Sequence, residues 1–117
     1  MTKKASDFLP LSQATYYILL SLREIRHGYA IMQDVEEISH GEVTMGPGTL
    51  YGALGKLEKQ RIITITTGEI DINDRRKYYE LTELGIDVLK MEYRRLSSLI
   101  ENAKEFINHL GGEKNGH

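Results

Sequence analysis

Seven apolar residues near the C-terminal end of this chain fall on a heptad. Leu89, Tyr93, Leu96, Ile100, Ala103, Ile107 and Leu110 follow one another at spacings of 4, 3, 4, 3, 4 and 3. That pattern belongs to helices packed along their length on a partner helix. It predicts a long helix over 82–111, with Thr82 as its cap and Glu83 in the first turn, where a negative charge suits the helix dipole. The apolar stripe must be covered, either by the chain's own first helix or by the same stripe of a second copy. A chain of 117 residues buries only a modest core, so a second copy is the expectation. The seven residues then form a homodimer interface.

The segments before this helix are short. Residues 12–25 read as a first helix, with Ser12 as cap and Ala14, Ile18, Leu22 and Ile25 at helical spacing. His27-Gly28 breaks the chain, and 29–39 read as a second helix ended by Gly41. Val43 to Met45 are a candidate short strand. Pro47 suits a first helical turn, and a third helix over 47–59 carries Leu50, Ala53, Leu54 and Leu57 on one stripe. Ile62 to Thr67 is β-branched throughout and reads as a strand. Residues 68–74 read as the tip, and Lys77 to Leu81 as the returning strand. The fold class is therefore mainly α with a small β-hairpin. It is a winged helix-turn-helix domain over 1–81, with the wing at 62–81, plus a long C-terminal dimerisation helix over 82–111 and a tail at 112–117.

Composition removes several classes of function. There is no cysteine, so disulfides and thiolate metal sites are out. The longest apolar runs fall short of the roughly 20 residues that a membrane helix needs, and the first ten residues lack a signal-peptide core. A cytoplasmic protein with no cofactor is expected. The net charge of −2 is unusual for a dedicated nucleic-acid binder. A local cluster can still serve, because phosphate contacts depend on where the cations sit.

Such a cluster exists. The stretch NDRRKYYELTELG places Arg75, Arg76 and Lys77 at the base of the wing. Strand alternation from an inward Leu81 puts Tyr79 and Lys77 on one face and Arg76, Tyr78 and Glu80 on the other. Cations here fit phosphate contact that fixes register without reading sequence. The third helix adds a second sign. Opposite its leucine stripe lie Gly48, Gly52, Gly55, Lys56 and Lys59, with Thr49 and Tyr51 alongside. Interior glycine costs about 1 kcal/mol against alanine. Glycines gathered on one face fit close approach by a DNA groove, or else are simply tolerated there. Arg, Asn and Gln are absent from this face, so shape and backbone contacts outweigh base readout.

At these residues the sequence resembles the PadR family of bacterial transcriptional regulators. The matching pieces are HGYAI at 27–31, GTLYGALGKLEK at 48–59 and RRKYYELTELG at 75–85, in matching order and spacing. The single C-terminal helix resembles the family's short subgroup. The resemblance implies a homodimeric repressor with a palindromic operator on double-stranded DNA. By position, the recognition segment is Gly48 to Lys59, the wing cations are Arg75, Arg76 and Lys77, and Tyr29 and Tyr51 are family-typical tyrosines of DNA-binding or structural role. The family usually has glycine where this chain has Arg61. There Arg61 is either strained or an added backbone contact. Some short members bind flat aromatic drugs at the dimer interface through a tryptophan. This chain has no tryptophan, and Tyr93 and Leu96 mark the corresponding candidate effector pocket.

Other chemistries fail on spacing. The four histidines lack i, i+4 pairing for a metal. Residues 71–76 begin like a calcium loop but carry Arg75 where an oxygen ligand belongs and Arg76 where the loop needs glycine. GALGK lacks the remaining elements of a phosphate loop. No catalytic constellation is present, so an enzyme is not expected. Two rival readings share the scaffold: a small-molecule sensor, and a protein-interaction module with little DNA affinity.

Overall fold

The structure, a computed structural model, describes residues 3–66 and 73–111. A short 3-10 turn at Ala5–Phe8 leads into α1 (Gln13–Ser21), β1 (Arg26–His27), α2 (Gly28–Ile38), α3 (Pro47–Lys59), β2 (Ile63–Thr66), β3 (Tyr78–Leu81) and α4 (Glu83–His109). The three strands form one antiparallel sheet in the order β1-β3-β2. Leu81 pairs with Ile63 and Tyr78 with Thr66, closing the hairpin. The expected tip over 68–72 and the tail over 112–117 lie outside the described residues.

One core joins these elements. Ile18 and Leu19 of α1, Ile31 and Val35 of α2, and Leu50, Leu54 and Leu57 of α3 are fully or nearly buried. Ile62, Ile63 and Tyr79 cover the core from the hairpin side, and Val88 from α4. The leucine stripe of α3 thus faces inward, and Tyr79 points inward with Leu81 partly buried, as alternation predicts.

Three local expectations need correction. The first helix stops at Ser21 rather than Ile25. Local side-chain bonds close it: Ser21 Oγ donates back to the Ile18 carbonyl at 2.7 Å, and Arg26 Nε donates to the Ser21 carbonyl at 2.7 Å. Arg26 is thereby drawn into a strand, and Arg26–His27 pairs with Tyr79 and Tyr78. The expected strand at Val43 to Met45 is absent. Ser39 Oγ accepts the Val43 N–H at 3.0 Å, folding that segment back onto the end of α2. After α2 both His40 (φ 54°) and Gly41 (φ 81°) are left-handed, so the stop expected at Gly41 begins one residue earlier.

Arg61 occupies a strained site. Its φ is 64°, and it closes a Schellman turn after α3. The Ile62 N–H donates to the Leu57 carbonyl and the Arg61 N–H to the Glu58 carbonyl, both at 3.0 Å. A side chain in this left-handed conformation costs roughly 1 kcal/mol relative to glycine. Arg61→Gly is therefore expected to raise the unfolding free energy by about 0.5–1 kcal/mol. Thermal denaturation of the two proteins checks this, and a lowered midpoint would contradict it.

The N-terminal segment is fastened to α4 by a buried charge. Glu92, 1% exposed, accepts the Leu11 N–H at 2.9 Å. It also accepts from Arg95 Nε at 2.6 Å and Nη2 at 2.9 Å. A buried carboxylate is tolerable only when so satisfied. The Arg95 hydrogen bonds, aided by the Leu11 amide, hold its pKa below the ordinary glutamate range.

Candidate nucleic-acid interface

A groove of about 430 Å³ opens where α2 begins, against α3 and the base of β3. His27, Gly28, Tyr29, Tyr51, Arg76, Lys77 and Tyr79 line it. The antiparallel pairing of β1 with β3 creates this meeting, because it brings His27 opposite Tyr78. Four of the residues singled out in the sequence, Tyr29, Tyr51, Arg76 and Lys77, thus converge. Tyr29 is 60% exposed. Tyr51 lies across Gly28, so a Cβ on Gly28 would collide with the Tyr51 ring and hydroxyl. Tyr51 therefore ties α3 to the start of α2 while half of it faces solvent.

The outward face of α3 continues from this groove. Gly48, Thr49, Gly52 and Lys56 are exposed. A Cβ built on Gly48, Gly52 or Gly55 meets nothing within 4 Å. The protein's own packing does not demand glycine there. Lys56 also borders a separate groove of about 220 Å³ between the N-terminal segment and α3. Lys59 and Arg61 stand at the far end of α3, beside Glu58, Thr64 and Thr82. The structure thus separates Lys59 and Arg61 from the tyrosines and wing cations by most of the length of α3.

The three cations of the wing are not equivalent. Asp74 grips Arg76 through two bonds of 2.9 Å, to Nε and Nη2. The Tyr78 hydroxyl donates to the same carboxylate at 2.6 Å. These hydrogen bonds, Arg76 first, hold the Asp74 carboxyl far below the usual carboxylate range. The Arg76 guanidinium lies 5.7 Å from the Tyr78 ring centroid, and His27 meets that ring edge-on at 5.4 Å. Arg75 and Lys77 make no ion pair among the described residues and are exposed. His27 and Asp74 were missed by sequence reasoning. The i, i+2 spacing of Asp74 and Arg76 in an irregular segment was the available signal.

The long helix divides in two. Gly85, Val88 and Glu92 are buried against the body, and Leu89 packs against the same core. Leu89 is thus partly buried within the protein's own fold. Farther along, Tyr93, Ile100, Ile107 and Leu110 are 60–71% exposed. Leu96 and Ala103 are partly buried. Leu99 and Phe106, at 52% and 71%, are also exposed and widen the apolar stripe. A groove of about 390 Å³ between α1 and α4 is lined by Tyr16, Leu20, Leu89, Lys90, Tyr93 and Arg94. It includes Tyr93 but not Leu96. Among the described residues, no helix is long and apolar enough to cross a membrane, and no group of acidic or histidine side chains is placed to hold a metal.

A helix-turn-helix followed by a cation-bearing hairpin defines a winged-helix protein of the DNA-binding regulator class. Residues 11–91 match the Transcriptional regulator PadR-like family, and the chain belongs to it. It is similar to the transcriptional regulator YqjI of Escherichia coli, at 30% identity over 82 residues. That match covers 70% of this chain and 38% of YqjI, so this chain spans well under half of that relative. Among solved structures, it resembles a PadR family transcription regulator from Clostridium difficile R20291, at 26% identity and a TM-score of 0.67. The match covers 82% of this chain and 99% of the other. A PadR-like transcription factor from Bacteroides fragilis matches at 27% identity and a TM-score of 0.64, covering 78% and 86% of the two chains.

Proposed function

We propose that this protein is a homodimeric, sequence-specific repressor. The winged-helix portion, residues 1–81, engages double-stranded DNA, and α4 joins two copies. The observation that carries this reading is the single groove shared by the start of α2, the tyrosine end of α3 and the wing base. Two such surfaces, related by a two-fold axis, suit a palindromic operator with half-sites about one helical turn apart. Recognition combines the open glycine face of α3 with phosphate contacts from the wing. Lys59 and Arg61, at the rear of α3, contribute less than the groove residues.

The wing assignment has a direct test. Replacing Arg75, Arg76 and Lys77 by alanine is expected to reduce the slope of log affinity against log salt by about 2–3, one unit per lost phosphate contact. An unchanged slope would sink it. Repression follows from the family resemblance, and a reporter on the chain's own promoter should rise when the gene is deleted. A drop would indicate activation.

The groove at Tyr16, Leu20 and Tyr93 supports an effector reading. Its floor is apolar and aromatic, and Lys90 and Arg94 border it. A flat aromatic compound bound there would press on α4 and release DNA. A compound panel that changes neither tyrosine fluorescence nor the DNA complex removes this part.

A further inference from the structure

His27 faces two hydrogen-bond donors and can accept from only one. Its Nδ1 caps α2 by accepting the Ala30 N–H at 3.2 Å. Its Nε2 stands 3.0 Å from Arg76 Nη1. A guanidinium has only donors, and a neutral imidazole has a single acceptor nitrogen. Burial, and then the Arg76 charge, lower the His27 pKa, so the ring is neutral at physiological pH. If Nδ1 caps the helix, Nε2 carries the proton and directs it at another N–H. The opposite tautomer sets Nδ1–H against the Ala30 N–H instead. Either way, one pair of donors lacks an acceptor between them.

The mismatch cannot relax by swinging Arg76 away. Asp74 holds its Nε and Nη2, and also accepts the Arg76 backbone N–H at 2.9 Å. Tyr78 in turn fixes Asp74. Nη1 is thereby presented beside His27, in the groove that Lys77 also lines.

We infer that His27 Nε2 and Arg76 Nη1 form a clamp for one phosphodiester of the DNA backbone, with Asp74 as its positioning residue. The inference rests on the DNA-binding reading above. A phosphate oxygen between the two nitrogens accepts from both and removes the conflict. Because His27 begins the helix-turn-helix and Arg76 belongs to the wing, a single phosphate would lock their relative placement. Asp74 gives the idea a sign of its own. On charge alone, removing an acid beside DNA tightens binding. The clamp requires Asp74→Asn to weaken it.

The test combines affinity with NMR of the His27 ring and the arginine guanidinium groups, using inorganic phosphate and then a mixed-sequence duplex as ligands. His27→Asn keeps a good N-cap and removes the Nε2 donor. The clamp predicts that phosphate shifts the His27 Nε2–H and Arg76 signals saturably. It predicts that Asp74→Asn and His27→Asn each weaken duplex binding about threefold to tenfold at an unchanged melting temperature. It also predicts that Arg76→Gln added to His27→Asn costs little more than either substitution alone. Equal or tighter duplex binding by Asp74→Asn, or His27 signals that ignore both ligands, would overturn it. Signals that move with phosphate, in a protein that binds no duplex, would uphold the anion clamp and overturn the DNA reading instead.

Discussion

Replacing Ile100 and Ile107 together by aspartate is expected to convert the protein from dimer to monomer and to abolish operator binding with it. Both side chains are mostly exposed on the part of α4 beyond the body, at 71% and 60%. Tyr93, Leu99, Phe106 and Leu110 extend the same apolar surface. A helix of 27 residues spans about 40 Å, yet its buried residues all lie in the first ten. Contiguous apolar surface of this kind marks an interaction site. Full burial of each such side chain contributes about 1.5–3 kcal/mol, and a two-fold axis counts each substitution twice. The four lost contacts sum to roughly 6–12 kcal/mol, enough to separate the subunits at micromolar concentration. Sedimentation velocity checks this, with circular dichroism showing that the winged-helix portion stays folded. A double variant that still sediments as a dimer would show that α4 is not the seam.

The largest effect on folding is expected at Gly85. It lies in the first turn of α4, where its N–H donates to the Thr82 cap at 3.0 Å. A Cβ at this position would collide with the Ile62 backbone carbonyl. That carbonyl cannot give way freely, because it accepts the Thr82 N–H at 3.1 Å, and the Thr82 hydroxyl, which donates to the adjoining Arg61 carbonyl at 2.6 Å, lies 3.1 Å from it. Overpacking against fixed backbone costs about 1–3 kcal/mol and sometimes more. Gly85→Ala should therefore lower a stability of roughly 5–15 kcal/mol by about 1–3 kcal/mol or more. Gly52→Ala, on the open face of α3, is the control and should not destabilise. Urea denaturation of the two variants decides it: equal midpoints would mean that α4 can shift away from the hairpin at little cost.

Where a residue repeats a pattern, its place was legible in the sequence. The Leu50, Leu54 and Leu57 stripe and the inward Tyr79 follow from periodicity alone. Two-residue strands have no period, so β1 was invisible, although it places His27 beside Arg76. Arg26 was unreadable for the same reason: it caps the end of α1 through a side-chain bond to the Ser21 carbonyl, five residues back, which helical periodicity does not reveal. Glu92 occupies a position one heptad before Leu99, where an apolar residue would be expected. Its burial depends on the Leu11 amide, 81 residues away in sequence. Arg61 shows the converse. The family's glycine marked a left-handed position, and the structure places Arg61 in that conformation with the strain unrelieved.

Hydroxyl-radical footprinting on the promoter upstream of this chain's own gene tests the central claim most directly. The protein should protect two patches on one face of the duplex, with centres about one helical turn apart, at a stoichiometry of two chains per site. Protection should survive added salt on this duplex and vanish on a scrambled one. A single patch, or equal and salt-erased protection of both duplexes, would contradict a dimeric sequence-specific regulator.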